Sequence, residues 1–95
     1  MYIAMNRFRV LPNKGPQFEE AWQNRETFLE GMPGFKEFHL LRGDEDIYIS
    51  HSIWDSREAF EDWTESEAFQ KAHAQGGSKG LLQGSPQFSG YEVVL

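Results

Sequence analysis

Three residues of this chain stand out for the chemistry they could do: Asn6, Trp63 and His73. His73 follows Phe69 by four positions and precedes the Gly76-Gly77 pair, so it falls near the C-terminal end of a predicted helix with Phe69, Ala72 and His73 on its inner side. Carbonyls at such an end lack intrahelical partners. One of them can hold the proton of one ring nitrogen and leave the other nitrogen free for a metal. A single histidine in apolar surroundings does not make a zinc site, which needs several protein ligands. It suffices for a haem iron, because the porphyrin supplies the equatorial ligands. Plain helix packing accounts for the spacing equally well, and the residue alone leaves both readings open.

Asn6 poses a similar choice. In the run YIAMNRFRV, the alternation places Tyr2, Ala4, Asn6, Phe8 and Val10 on one face of a strand and Ile3, Met5, Arg7 and Arg9 on the other. Asparagine is disfavoured in mid-strand, and a buried amide needs hydrogen-bond partners. Either neighbouring backbone supplies them or the amide is a donor aimed into a pocket. Trp63 shares the predicted interior with Phe60, while Trp22 and Trp54 are assigned to packing. His39 and His51 lie on strands with no partner at metal-ligand spacing and are read as structural. Ser66 and Ser85 lack the histidine and acid of an acyl-transfer triad. The acids Glu19-Glu20 and Asp44-Glu45-Asp46 look like solvated surface.

The elements that must position these residues follow from periodicity. After the first strand, Leu11 to Gly15 forms a break, and Pro16 suits the first turn of a helix carrying Phe18, Ala21, Trp22, Arg25, Phe28 and Leu29 over about four turns. Gly31 and Pro33-Gly34 stop it. Strands are predicted at 35–42 and 46–54, joined by Gly43-Asp44-Glu45; in the second, Ile47, Ile49, His51 and Ile53 alternate with Tyr48, Ser50, Ser52 and Trp54. Asp55 or Ser56 caps a short helix with Ala59, Phe60 and Trp63, and Thr64 with Glu67 repeats the capping signal before the helix that ends near His73. Gly76 to Gly80 reads as a loop, and 87–95 as a last strand. The order β-α-β-β-α-α-β predicts an α+β, ferredoxin-like antiparallel sheet with helices on one face, in a single domain over 1–95.

The 95 residues leave no room for a separate cofactor-binding module. Ile3 and Met5, with Tyr91, Val93 and Leu95, make the helix-free face too apolar to stay wet, which predicts a homodimer with sheets packed face to face. A net charge of −6 with scattered bases argues against nucleic acid. The lack of cysteine excludes disulfides and thiolate ligands. No apolar run is long enough for a membrane span, and MYIAMNRFRV has no signal-peptide pattern, so a cytoplasmic protein is expected.

Asn6, the Met32-Pro33-Gly34-Phe35 turn, the run WDSREAFEDW at 54–63 and SEAFQKAH at 66–73 together resemble the antibiotic-biosynthesis-monooxygenase (ABM) superfamily. The likeness spans nearly the whole chain. Its tryptophan-rich run is shared by members with other substrates, whereas Asn6, Trp63 and His73 jointly match the haem-degrading, IsdG-type branch. The resemblance implies a dimeric α/β barrel that opens the porphyrin oxidatively and releases iron, with haem as both substrate and cofactor and an external electron donor. It further implies His73 as proximal iron ligand, Asn6 as hydrogen-bond donor on the distal side, and Trp63 pressing on the porphyrin face. Phe69 would line the pocket, and Arg25 or Lys79 would meet the propionates. Two other readings stand beside it: a non-catalytic haem carrier, and a cofactor-independent monooxygenase of an aromatic polyketide or quinol.

Overall fold

Strand alternation decides which side of the sheet the helices cover. The computed structural model describes residues 1–74 and 80–95. The chain runs β1 (Tyr2–Arg9), α1 (Gly15–Gln23), β2 (Phe35–Arg42), β3 (Ile47–Trp54), α2 (Arg57–Thr64), α3 (Glu67–Ala74) and β4 (Gln87–Glu92), the expected order. All pairings are antiparallel, in the order β2-β3-β1-β4. Tyr2, Ala4 and Phe8 of β1 and Tyr48, Ser50 and Trp54 of β3 are buried on the helix side. Ile3, Met5, Ile49, His51 and Ile53 point the other way and are half-buried. At the sheet edge Gly90 has to lack a side chain, because a Cβ there would fall on the Tyr2 hydroxyl.

The helix side holds two apolar clusters. One gathers Tyr2, Ala4, Leu29, Trp54, Trp63 and Ala72, with Phe60 and Phe69 packed against it. The other gathers Phe8, Val10, Phe18 and Tyr48, with Trp22 and Leu40 at its margin. Burial of such rings is the main favourable contribution to a domain of this size.

Local signals were legible to different degrees. α1 ends at Gln23 instead of continuing to Leu29. The 3- and 4-residue spacing persists through Arg25, Phe28 and Leu29, but Phe28 adopts a positive φ of 59° and is turned outward, while Leu29 is buried in the first cluster. Arg25 therefore lies beyond α1, and its Nε donates to the Ala72 carbonyl of α3 at 3.1 Å. Of the two candidate caps for α2, Ser56 is the one used, its Oγ accepting from the Ala59 amide at 3.1 Å. Asp55 instead pairs with Lys36. Ser66, not Thr64, serves the start of α3, accepting from the Phe69 amide. The β4 strand stops at Glu92, short of the predicted end. Gly76 to Lys79 of the predicted loop lie outside the described residues. No helix among the described residues is long and apolar enough to cross a membrane.

Candidate functional site

The seam between the two clusters is where polar groups reach the helix side of the sheet. The strand register sets Leu40, Ser50, Asn6 and Phe88 in one row across β2, β3, β1 and β4. On one side of this row lie Phe38, Ser52, Ala4 and Gly90, on the other Arg42, Tyr48 and Phe8. Asn6 is half-buried as its strand face predicts, and its side chain makes no hydrogen bond to any described residue. The backbone does not use the amide, which removes the bland explanation for it. Stacked aromatic pairs flank the row. Trp22 lies on Phe38 at 5.6 Å and 23°, and Phe60 of α2 lies on Phe88 at 5.5 Å and 11°.

On α3, Phe69 links the other two expected site residues. Its ring meets Trp63 edge-on at 5.4 Å and lies 3.9 Å from the His73 imidazole, centroid to centroid. Trp63 is buried and stacks on Trp54 at 6.2 Å, so its ring is held by the core. His73 departs from expectation. It is exposed at the rim of the site and does not face the core with Ala72; among the described residues the helix turns Ala68, Phe69 and Ala72 toward the sheet. Its Nδ1 is 2.9 Å from the Phe69 carbonyl, one turn back on the same helix. A carbonyl only accepts, so Nδ1 carries the proton, and Nε2 of the neutral ring presents a lone pair. The carbonyl lies within the helix and not at its open end, yet the outcome for the free nitrogen is the one expected.

Arg25 closes this side. Its guanidinium sits over the Trp22 ring at 4.7 Å, and its Nε is committed to the carbonyl of Ala72, next to His73. Burial lowers its pKa below the ordinary guanidinium value. Expected on the first helix as a propionate partner, it lies beyond α1 and through Nε fastens the segment after α1 to α3. Lys79 lies outside the described residues. Thus Trp63, Phe69, His73 and Arg25 are brought together around α3. Asn6 lies on the sheet beside Ala4, which shares the Trp63 cluster.

Sequence patterns missed two features. Glu19, taken for solvated surface, accepts from the Tyr48 hydroxyl at 2.6 Å and from Arg42 at 3.1 Å, and this network borders a groove of about 460 Å³ lined also by Trp22, Gln23, Phe38 and Leu40. In the sequence Ser50 is only one member of an alternating strand. It is opposite Asn6 and 7% exposed, and no described residue hydrogen-bonds its hydroxyl. Among the described residues no group of three or more His, Cys, Asp or Glu could hold a metal ion. A metal here would need most of its ligands from its own cofactor.

Comparison with known proteins decides the family. The family model described as "Antibiotic biosynthesis monooxygenase" matches residues 1–75. The chain belongs to this family. It is 33% identical over 95 residues to a heme oxygenase (mycobilin-producing) of Mycobacterium tuberculosis, covering 98% of this chain and 89% of that protein. A variant of MhuD, the heme-degrader of that organism, solved with two manganese protoporphyrin IX molecules per active site, superposes with a TM-score of 0.84 at 30% identity, covering 100% of this chain and 96% of that one. SnoaB, a cofactor-independent oxygenase of Streptomyces nogalater, superposes with a TM-score of 0.74 at 20% identity, covering 99% and 93%. That last likeness speaks for the fold alone. The ABM fold thus frames more than one chemistry, and the site residues have to choose between them.

Proposed function

We propose that this ABM-family chain is a haem-degrading monooxygenase that binds haem between α3 and the Asn6 row of the sheet. The observation that carries the proposal is His73, whose Nδ1 is tied to the Phe69 carbonyl so that Nε2 is the free nitrogen. A lone axial imidazole with a fixed tautomer fits a haem iron and no other common metal centre. The unpaired Asn6 amide and the aromatic flanks of its row also suit a flat, largely apolar ring. The 33% identity to a heme oxygenase over 98% of the chain points the same way.

Haem, as substrate and cofactor together, supplies the iron that activates dioxygen with electrons from an external donor. The protein supplies placement. His73 holds the iron through Nε2, and Asn6 offers amide donors from the sheet side. Trp63, backed by Trp54 and Phe69, provides a wall that does not yield to the ring. Arg25 keeps α3 fixed against the segment after α1, and its remaining N–H groups would serve a propionate. A second copy covers the outer sheet face, where Ile3, Met5, Ile49 and Ile53 are only half-buried and Tyr91 is exposed. We assign the protein to the cytoplasm, whose reducing conditions suit a chain without cysteine.

Two measurements test this. Titration with haemin should produce a Soret band that saturates at one haem per chain and is lost in His73→Ala. Adding ascorbate in air, with catalase present, should then bleach the band and raise broad tetrapyrrole absorption. An intact band under reductant would leave a haem carrier, and no band at all would leave a cofactor-independent oxygenase. Light scattering should report a mass near twice 11.0 kDa; a monomer would refute the covered face.

A further inference from the structure

Three polar side chains lie along the helix-facing side of β3, and two of them are satisfied. Tyr48 donates its hydroxyl proton to Glu19 at 2.6 Å. Ser52 accepts from the Trp54 indole at 2.9 Å. Between them Ser50, more than nine-tenths buried, has no hydrogen-bond partner among the described residues. The hydroxyl itself is not among the sealed, unpartnered polar atoms, so it stays open to a small molecule in front of the sheet. Its cross-strand neighbour is Asn6, the other unpartnered polar side chain of the row.

We propose that Ser50 is a second hydrogen-bonding residue of the haem site, acting with Asn6 on a small ligand held at the iron face turned toward the sheet. The proposal rests on the haem reading above. Side chains directly opposite on antiparallel strands have Cβ atoms about 4.5–5.5 Å apart, so the Ser50 hydroxyl and the Asn6 amide can converge on one small molecule. The amide contributes fixed donors, and the hydroxyl adds a donor that rotates to suit. Leu40 and Phe88 end the row, Phe88 stacked on Phe60, and the Trp22–Phe38 stack lies beside it, so the polar floor of the row is these two residues. Preorganised donors in a site shielded from water act more strongly on developing negative charge than they would in solution.

The test uses wild-type protein and the variants Ser50→Ala, Ser50→Cys and Asn6→Ala, each loaded with haemin. Cyanide affinity of the ferric form is read from the Soret shift, and the C–O stretch of the ferrous carbonyl form from infrared absorption. Ser50→Ala should take up haemin normally, bind cyanide about three- to tenfold more weakly, the worth of one hydrogen bond, and raise the C–O stretch. Asn6→Ala should do the same more strongly. Ser50→Cys, close in size with a weaker donor, should fall between wild type and alanine, and it decides the matter if Ser50→Ala does not fold. Cyanide affinity and C–O stretch unchanged from wild type in the foldable Ser50 variants would overturn the proposal while leaving haem binding in place. A wild type without a Soret band would overturn the haem reading, and the role of Ser50 with it.

Discussion

The two apolar clusters on the helix side of the sheet treat their polar groups in opposite ways. Around Phe8 and Phe18, the Tyr48 hydroxyl is taken by Glu19, which Arg42 also binds, so the polar groups bordering the groove at that end are tied to one another. Toward Trp54 and Trp63, the row of Asn6 and Ser50 keeps its hydrogen-bonding groups unused. Both regions belong to one sheet face, and β1 and β3 run through both. Burial alone therefore does not mark the site. What marks it is an amide and a hydroxyl, both without a partner, set directly opposite each other on β1 and β3; the fully buried unpartnered atoms, Trp22 Nε1 and His51 Nδ1, lie outside this row.

Breaking the apolar side of the region around Trp54 and Trp63 should have the largest effect. Trp63 is buried and stacked on Trp54, so Trp63→Ala should cost about 3–5 kcal/mol of stability. Urea unfolding of the apoprotein measures it, and a loss under 1 kcal/mol would mean the ring is held by ligand and not by the core. Asn6→Ala should act on the other axis. Haemin turnover should fall on the order of 10²- to 10³-fold with binding retained. Stability should be unchanged or slightly raised, because the amide removed has no partner. A clear loss of apoprotein stability in Asn6→Ala would identify a structural amide and erase the contrast between the two regions.

How much of this the sequence discloses follows the range of the interactions. Period-two alternation located Asn6 on the buried face of β1 and grouped Ser50 with Tyr48 and Trp54, because facing is a local property of a strand. That Ser50 and Asn6 are neighbours depends on the register of β1 against β3, a long-range pairing that no local pattern states. His73 was placed inward because it repeats Phe69 at helical spacing. The helix meets the sheet along a narrow stripe, and His73 is left at its rim. The length of α1 was overestimated for a related reason. Arg25 and Leu29 are drawn to Ala72 and the first cluster, contacts that outweigh a helix-like spacing once the chain has passed Asn24. Glu19 looks like surface in the sequence because its partner is a tyrosine 29 residues away.

The region around Glu19 sharpens the comparison through pH. The hydrogen bond from Tyr48 holds the Glu19 carboxyl below its ordinary 4.5; Arg42 adds to this, and burial opposes it. Burial, with the same carboxylate beside it, pushes the Tyr48 phenol above its ordinary 10.0. A carboxyl with a depressed folded-state value contributes stability that is present above the unfolded value and lost as pH falls through the folded one. The window therefore opens at 4.5 and extends below it. The phenol, raised on folding, contributes stability present below 10.0 and lost as pH climbs past that value. At neutral pH Tyr48→Phe should lower the melting temperature on the order of 5 °C, less than Trp63→Ala, since one hydrogen bond is lost from an otherwise intact core. Wild type should then lose more stability than Tyr48→Phe between pH 7 and pH 3.5, because the variant has already lost the bond that holds Glu19 ionised. Asn6→Ala should keep the full acid sensitivity of wild type, since nothing in its row titrates. Parallel melting curves for wild type and Tyr48→Phe across that range would show that the Glu19 bond does not tie the region together. An acid response altered by Asn6→Ala would show that the two regions are coupled.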